Sequence, residues 1–404
     1  MSRIDTLIAE LCPDGVEYRK LGEIEDNGYL KLGRGKVISK KDIAANLGNY
    51  PIYSASAAND GKMGEYGSYM FDDVRLTWSV DGGGKFFYRD APKYSVTNVC
   101  GWLKVLDEQS FSTRFLYYVL SSQWSTMTFD YVTKAHPSVI RELYRIPIVP
   151  MSVQREIVRI LDSFAELEAE LEAELEARKA QYAYYRDRLL SQESLEALEG
   201  KPVEMKKLED ISINGPMYGS NTKAVAYDDK AGLRYIRITD IDDTGNIGSD
   251  FKSPEVFEEK YLLKNGDLLF ARSGATAGKT MLYHDTMGPA VFAGYLIKFE
   301  IDRKQVLPKY AFHSMRTQRY WIWADAIKDG GAQPNISAKA YSKFEIPVPS
   351  LATQQKVVDI LDRFDALTTS LTDGLPAEIE ARRQQYEYYR DRLLDFPRKE
   401  VAAS

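Results

Sequence analysis

Gln181-Tyr182-Ala183-Tyr184-Tyr185-Arg186-Asp187-Arg188-Leu189-Leu190 returns as Gln385-Tyr386-Glu387-Tyr388-Tyr389-Arg390-Asp391-Arg392-Leu393-Leu394. Upstream, the stretch from Ile146-Pro147 to Phe164 returns in register, offset by 200 residues, as Ile346-Pro347 to Phe364. Passages this long do not recur by accident, so one module is present twice. A duplicated module points to a two-part target or a two-fold symmetric partner.

Working outward, Val16-Glu17-Tyr18-Arg19-Lys20-Leu21 is echoed by Val203-Glu204-Met205-Lys206-Lys207-Leu208, with Ile24 and Ile211 following at the same distance. Each module therefore reads as an opening strand, a globular block, an Ile-Pro exit and a long helix. The boundaries fall at 1–150 (first block), 151–200 (central helix), 201–350 (second block) and 351–404 (C-terminal helix). Fainter echoes run through the blocks, Ala135-His136-Pro137-Ser138-Val139 against Ala332-Gln333-Pro334-Asn335-Ile336 among them. The blocks read as mixed α and β. Apolar runs such as 73–78 and 267–271 are bounded by Gly-rich turns, and 112–128 and 308–327 look helical.

After the Ile-Pro exits, Ser152 and Thr353 are the expected N-caps. Apolar residues then recur at Leu167, Leu171, Leu175, Tyr182, Tyr185 and Leu189, and in the second helix at Phe364, Leu367, Leu371, Ile379, Tyr386, Tyr389 and Leu393. This three-four alternation is a coiled-coil seam. Residues 165–176 are Ala-Glu-Leu-Glu three times over. Gly374-Leu375-Pro376 should break the second helix. A rod of roughly 38 residues spans about 55–60 Å, and one apolar stripe of that length needs a partner. The expected fold class is α+β: two globular mixed α/β domains joined and separated by two long antiparallel coiled-coil helices, with pseudo-two-fold symmetry.

Composition narrows the function. The chain has 404 residues, two cysteines (Cys12, Cys100) and three scattered histidines (His136, His284, His313). That excludes a disulfide framework and gives no metal-ligand spacing. No signal peptide or membrane-length apolar run is read, and the chain reads as cytoplasmic. Net charge is −6, distributed as 0 over 1–150, −6 over 151–200, +2 over 201–350 and −2 over 351–404. Bulk attraction to a polyanion is thus not expected, whereas local basic loops on the blocks are.

These residues resemble the DNA-specificity subunit of type I restriction–modification enzymes over essentially the whole chain. The resemblance is carried by the two Ile-Pro…Ile-Leu-Asp-x-Phe exits and the two Gln-Tyr-x-Tyr-Tyr-Arg-Asp helices. Gly374 to Glu380, Gly266 to Gly274, Gly330 to Ile336 and Thr97 to Gly101 add to it. The Ala-Glu-Leu-Glu run looks like the short central-helix repeat of one branch of that family. The resemblance implies that each block is a target-recognition domain reading half of a split DNA sequence. It implies that the helices are spacers docking two modification subunits, adenine methyltransferases that use S-adenosylmethionine, and that restriction (motor and nuclease) subunits join them. It implies no cofactor and no catalysis on this chain.

Candidate DNA-binding residues are the loop residues able to read bases or hold phosphates. In the first block these are Arg34, Lys36, Lys40, Lys41, Tyr53, Ser54, Ser56, Lys62, Trp78, Ser79, Lys85, Lys134 and His136. In the second they are Tyr218, Ser220, Asn221, Thr222, Lys223, Arg237, Thr239, Arg272, Ser273, Thr276, Lys279, Gln333, Asn335, Ser337 and Lys339. The repeated tyrosines, with Arg186/Asp187 and Arg390/Asp391, are candidates for partner docking. Two rival readings stand beside this one. Ser273 to Thr280 mimics a phosphate-binding loop, except that Ser273 replaces its first glycine. A coiled-coil scaffold that binds proteins and no DNA is the other.

Overall fold

The structure is a computed structural model that describes residues 3–55, 59–81, 83–90, 93–129, 134–230, 232–328, 334–369 and 374–399. Ser56, Gln333 and Leu371 lie outside the described residues. The chain forms two compact units: Met1–Glu170 with Glu380–Ser404, and Leu171–Ile379. The division runs through the central helix, Met151–Leu189.

In the first unit the opening strand Tyr18–Lys20 pairs antiparallel with Arg145–Pro147, Tyr18 opposite Pro147. In the second, Glu204–Lys207 pairs antiparallel with Glu345–Val348, Met205 opposite Pro347. The two short echoes of the sequence are thus bonded to the two Ile-Pro exits, in the same register. Each block is closed at its root by a clasp between its first and last strands.

The main sheets repeat too. In the first unit the spatial order is Leu30–Arg34, Cys100–Val105, Arg75–Ser79, Phe86–Arg89, all antiparallel. In the second it is Met217–Tyr218, Leu296–Glu300, Asp267–Ala271, Thr280–Leu282, again antiparallel. Strand Asp267–Ala271 is buried along its whole length. Leu268 and Phe270 face a core with the helical residues Tyr310 and Tyr320, while Leu269 and Ala271 face a second core with Met281 and Phe292. Side chains alternate along a strand, so a sheet covered on both faces buries every position. Gly35 and Gly219 end the first strands of the two sheets against a crossing backbone. A Cβ at Gly35 would lie 2.1 Å from Val96 O, and one at Gly219 2.3 Å from Ala293 O, so only glycine fits.

The long helices differ in detail from the expectation. The central helix ends at Leu189, and Ser191 caps a separate helix, Gln192–Glu199, which stops at Gly200 in the left-handed conformation. The C-terminal stretch is two helices, Leu351–Thr369 and Leu375–Leu394, interrupted ahead of Leu375 as the Gly-Leu-Pro passage requires. Ser152 and Thr353 lie inside their helices. Pro150 O accepts from Val153 N and Gln154 N, and Ser350 Oγ accepts from Thr353 N (3.3 Å).

Helix pairing is present in each unit and is made by the repeated residues. In the first unit Phe164 stacks on Tyr389 (centroids 5.4 Å apart, planes 25° apart) and meets Tyr386 edge-on at 6.4 Å. Glu168 accepts from Arg383 (2.6 Å). One helix advances from 164 to 168 as the other retreats from 389 to 383, so they run antiparallel. In the second unit Phe364 stacks on Tyr182 (6.3 Å) and Tyr185 (5.7 Å). Of the seam residues, Leu171, Tyr182, Ile379 and Leu393 are buried and Leu175 and Leu189 are half-buried. Leu367 and Tyr185 keep more than a third of their surface.

Candidate nucleic-acid interface

Register places the loops. In the first unit Arg34 is opposite Gly101, Trp78 opposite Gly101 and Phe86, and Ser79 opposite Cys100. The turns after Arg34, after Ser79 and before Cys100 therefore share one end of the sheet. Arg34 Nε donates to Asn98 O (2.9 Å), Lys36 bridges to Thr97, and Thr97 Oγ1 donates to Ser54 Oγ (3.0 Å). Ser79 Oγ donates to Ala55 O (2.9 Å), and Lys134 pairs with Asp81 (2.9 Å). His136 caps Pro137–Leu143 with Nδ1. Most of the first block's candidates are thus gathered at one sheet end.

Several do not face outward. Trp78 is fully buried, and its Nε1 donates to Ala135 O (2.7 Å). Ser79 is buried, and Tyr53 is buried under the Arg89 guanidinium, 3.7 Å from its ring. These are packing residues: a tryptophan in a two-sided sheet is core, whatever polar neighbours it has in sequence. Lys62 is paired with Glu65 (2.5 Å). Lys40 and Lys41 open a short helix capped by Ser39, and Lys85 lies 5.4 Å from the Phe87 ring. Among the described residues Arg34, Lys36, Lys40, Lys41 and Lys85 have no carboxylate partner, which leaves their charge available to a phosphate.

In the second unit Tyr218 is opposite Ile297, Ala271 opposite Leu296, and Phe270 opposite Thr280. One sheet end again collects the loops. Arg272 Nε donates to Asn335 Oδ1 (3.2 Å), its guanidinium lies 5.0 Å from the Tyr218 ring, and Ser273 bridges to Asn335. Tyr218 OH accepts from Ala338 N (3.3 Å), and Ser337 caps Ala338–Ser342. Lys223 and Lys339 are exposed, as is Asn221. Thr222 Oγ1 accepts from Val256 N (3.0 Å), and Thr276 Oγ1 donates to Ser273 O (3.1 Å). Ser220 is buried in the backbone crossing beside Gly219, a packing role. Arg237 is tied to Asp240 (2.6 Å) and Asp250 (3.3 Å), Thr239 leans on Asp240, and Lys279 pairs with Asp243 (2.8 Å). Tyr295, 60% exposed beside Arg272, was not singled out by sequence. Its only signal was a tyrosine wedged between Gly294 and a strand start.

The phosphate-loop rival fails on topology. Ser273 to Lys279 joins strand Asp267–Ala271 to strand Thr280–Leu282, and Thr280 is buried in that strand. A nucleotide phosphate needs the open N-terminus of a following helix, and a strand follows instead. Among the described residues, no cluster of three or more His, Cys, Asp or Glu side chains can hold a metal, and no helix is long and apolar enough to cross a membrane.

On the helices, Tyr184 and Tyr388 point outward, 58% and 61% exposed, while Tyr182 turns inward with its OH 3.2 Å from His313 Nδ1. Asp187 accepts from Gln318 N (3.0 Å) at a helix start, so its first role is structural. Arg186 is largely buried beside Tyr182, with Asp187 at 3.6 Å, and Arg390 pairs with Asp391 at 2.7 Å.

Two mixed α/β blocks of one topology, each rooted on an antiparallel pairing of long helices, define a duplicated recognition architecture. The profile of the type I restriction modification DNA specificity domain matches residues 13–177 and 200–381. The chain belongs to that family. It is 38% identical over 267 residues to the Type I restriction enzyme EcoR124I/EcoR124II specificity subunit of Escherichia coli, a match covering 64% of this chain and 63% of that relative. It is 30% identical over 410 residues to a Haemophilus influenzae protein named as a type I restriction enzyme specificity subunit, covering 94% of this chain and 96% of the relative. The crystal structure of the S subunit of a type I restriction–modification system from M. genitalium superposes with a TM-score of 0.56 at 17% identity. It covers 94% of this chain and 96% of that one, and shows the shared fold.

Proposed function

We propose that this chain is a non-catalytic reader of a bipartite duplex-DNA target. Each unit would recognise one half-site with the loop end of its sheet. The helices would fix the spacing between the halves and dock two modification subunits, which would bring S-adenosylmethionine and the methyl-transfer chemistry; restriction subunits would join that core. The observation that carries the reading is that the two units share one topology but differ in the side chains at the same sheet end. In the first unit the strand bridging beside Gly35 carries exposed Lys36; beside Gly219 it carries buried Ser220. A common frame with different loop chemistry is what two half-sites of different sequence require.

The test is to assemble the chain with its modification subunits and sequence the adenines methylated in a random-sequence duplex library. Two short fixed motifs separated by an unspecified spacer of constant length are expected. Methylation of one contiguous motif, or of no preferred motif, overturns the proposal. A scaffold without DNA reading would show normal assembly and no binding preference.

A further inference from the structure

Arg272 is held at the loop end of the second sheet by four contacts. Its Nε donates to Asn335 Oδ1 (3.2 Å), and its guanidinium lies 5.0 Å from the Tyr218 ring. Its backbone N donates to Tyr295 O (3.0 Å), and its carbonyl accepts from Ile336 N (2.8 Å). Of the side chain's nitrogens, only Nε makes a hydrogen bond among the described residues. Among the described residues its two Nη groups have no partner and no carboxylate neutralises it, in contrast to Arg237 with Asp240 and Asp250. Next to it, Ser273 Oγ is buried and has no hydrogen-bond partner, an unusual state for a buried hydroxyl.

The fold does not require an arginine here. In the first unit the residue one past the strand end is Val80, and the residue just ahead of the next helix's capping residue is Ala135, as Arg272 and Ile336 are in the second. This register, and not the sequence echo of Ala135 with Ala332, relates the two units. Ala135 N donates to Val80 O (3.1 Å), and Val80 is a buried core residue. The position carries different chemistry in two copies of one frame.

We propose that Arg272, steered by Asn335 and backed by Tyr218, reads a guanine in the major groove of the half-site bound by the second unit. This rests on the DNA-reading function proposed above. The two free Nη groups are parallel donors, and guanine alone presents two acceptors, O6 and N7, side by side in that groove. Adenine puts a donor where the second acceptor is needed. Asn335 is a positioning residue: its Oδ1 accepts from Arg272 Nε (3.2 Å) and fixes the plane of the guanidinium.

The experiment uses the chain assembled with its modification subunits and a duplex library randomised across the target. The wild-type complex should fix guanine at a position of one half-site. Arg272→Ala should erase the preference at that position alone, by about 5- to 150-fold, with every other position unchanged. Asn335→Ala should weaken the same position and no other, and it carries the test if the arginine variant fails to assemble. A uniform loss over the whole library marks a phosphate contact and overturns the proposal. So does relaxation at a position that is not guanine, or no change at all. If the wild-type complex shows no two-part preference, the DNA reading itself has failed, which is seen before any variant is compared.

Discussion

Gln154 and Gln354, 200 positions apart, make the same three hydrogen bonds in their own units. Gln154 Oε1 accepts from Ser112 N (2.9 Å), and its Nε2 donates to Ser110 O (2.8 Å) and Val149 O (2.9 Å). Gln354 Oε1 accepts from Leu307 N (2.8 Å), and its Nε2 donates to Gln305 O (3.0 Å) and Pro349 O (2.9 Å). Both side chains are completely buried. Each ties the first turns of a long helix to the loop ahead of a block helix, Thr113–Trp124 in the first unit and Pro308–Ser314 in the second. Gln354→Met keeps the volume but strands a buried N–H and two carbonyls. It should lower unfolding free energy by about 2–4 kcal/mol, read by denaturant titration. A change of well under about 1 kcal/mol would mean that these bonds do not root the block.

A second prediction concerns pH. His313 is fully buried between Tyr182 OH, 3.2 Å from Nδ1, and Asp362 Oδ1, 3.2 Å from Nε2. Burial pushes its imidazole below the ordinary value of 6.5, outweighing the pull of Asp362. Burial alone would raise the Asp362 carboxyl, but hydrogen bonds from His313 and Lys309 outweigh it and hold the group below the usual carboxylate range. Both folded-state values are depressed, so the unfolded chain takes up protons first as pH falls. Stability is therefore lost on acidification, beginning as pH drops through the unfolded histidine value of 6.5 and deepening as Asp362 protonates. In the first unit Tyr118 and Arg114 hold Asp162 instead, and neither titrates in this window. Thermal unfolding should show a midpoint that falls between about pH 7.5 and about pH 5.5, with a shallower fall in His313→Gln. Equal slopes in the two proteins would exclude the histidine as the cause.

Third, the stacked rings should hold the helix pairs. Phe164 and Phe364 are half-buried, so each alanine variant should cost less than a fully buried aromatic, about 1–3 kcal/mol. The check is chemical denaturation followed through the far-ultraviolet helical signal. Unchanged midpoints in both variants would show that the pairing is held elsewhere.

Fourth, the proposed spacer can be lengthened. One added Ala-Glu-Leu-Glu unit after Glu176 advances a helix by about 6 Å and turns it by about 40°. The unspecified spacer of the methylated target should grow by about one or two base pairs while both half-sites stay the same. An unaltered spacer in the sequenced methylation sites would refute the ruler.

Fifth, Tyr184→Ala and Tyr388→Ala remove exposed rings that support no core. Binding of the modification subunits should weaken at each, measured by titration calorimetry, with the thermal midpoint of the free chain unchanged. Full-strength binding by the double variant would place docking on another face.

The duplication was legible because helix seams and strand clasps are local patterns. Phe364 falls on the seam by spacing and Phe164 is its repeat, and the Tyr18 and Met205 echo marked two opening strands, which the structure pairs with the Ile-Pro exits in one register. The sites were less legible, for a physical reason. Trp78, Ser79 and Ser220 sit among polar or glycine neighbours and look like loop residues, yet a sheet covered on both faces buries Trp78 and Ser79, and a crossing backbone buries Ser220. Burial of that kind depends on strands distant in sequence. Likewise, nothing in the sequence separates Arg272, whose Nη groups have no partner among the described residues, from Arg237, which two aspartates neutralise. The helix break at Leu189 was signalled by Ser191 and Gly200, but the continuous acidic, apolar pattern hid it.

Val16 N donates to Pro397 O (2.8 Å), Lys399 N donates to Val16 O (3.0 Å), and Tyr18 OH bonds both backbone groups of Phe396. Leu393 and Phe396 complete the core that Ile4, Leu21 and Leu30 begin. During synthesis the ribosome therefore delivers the first unit's opening residues long before their mates exist. The second unit has all its parts while the first still waits, so of the two the one begun first is completed second, and a nascent chain stalled short of residue 393 would leave that core open to solvent.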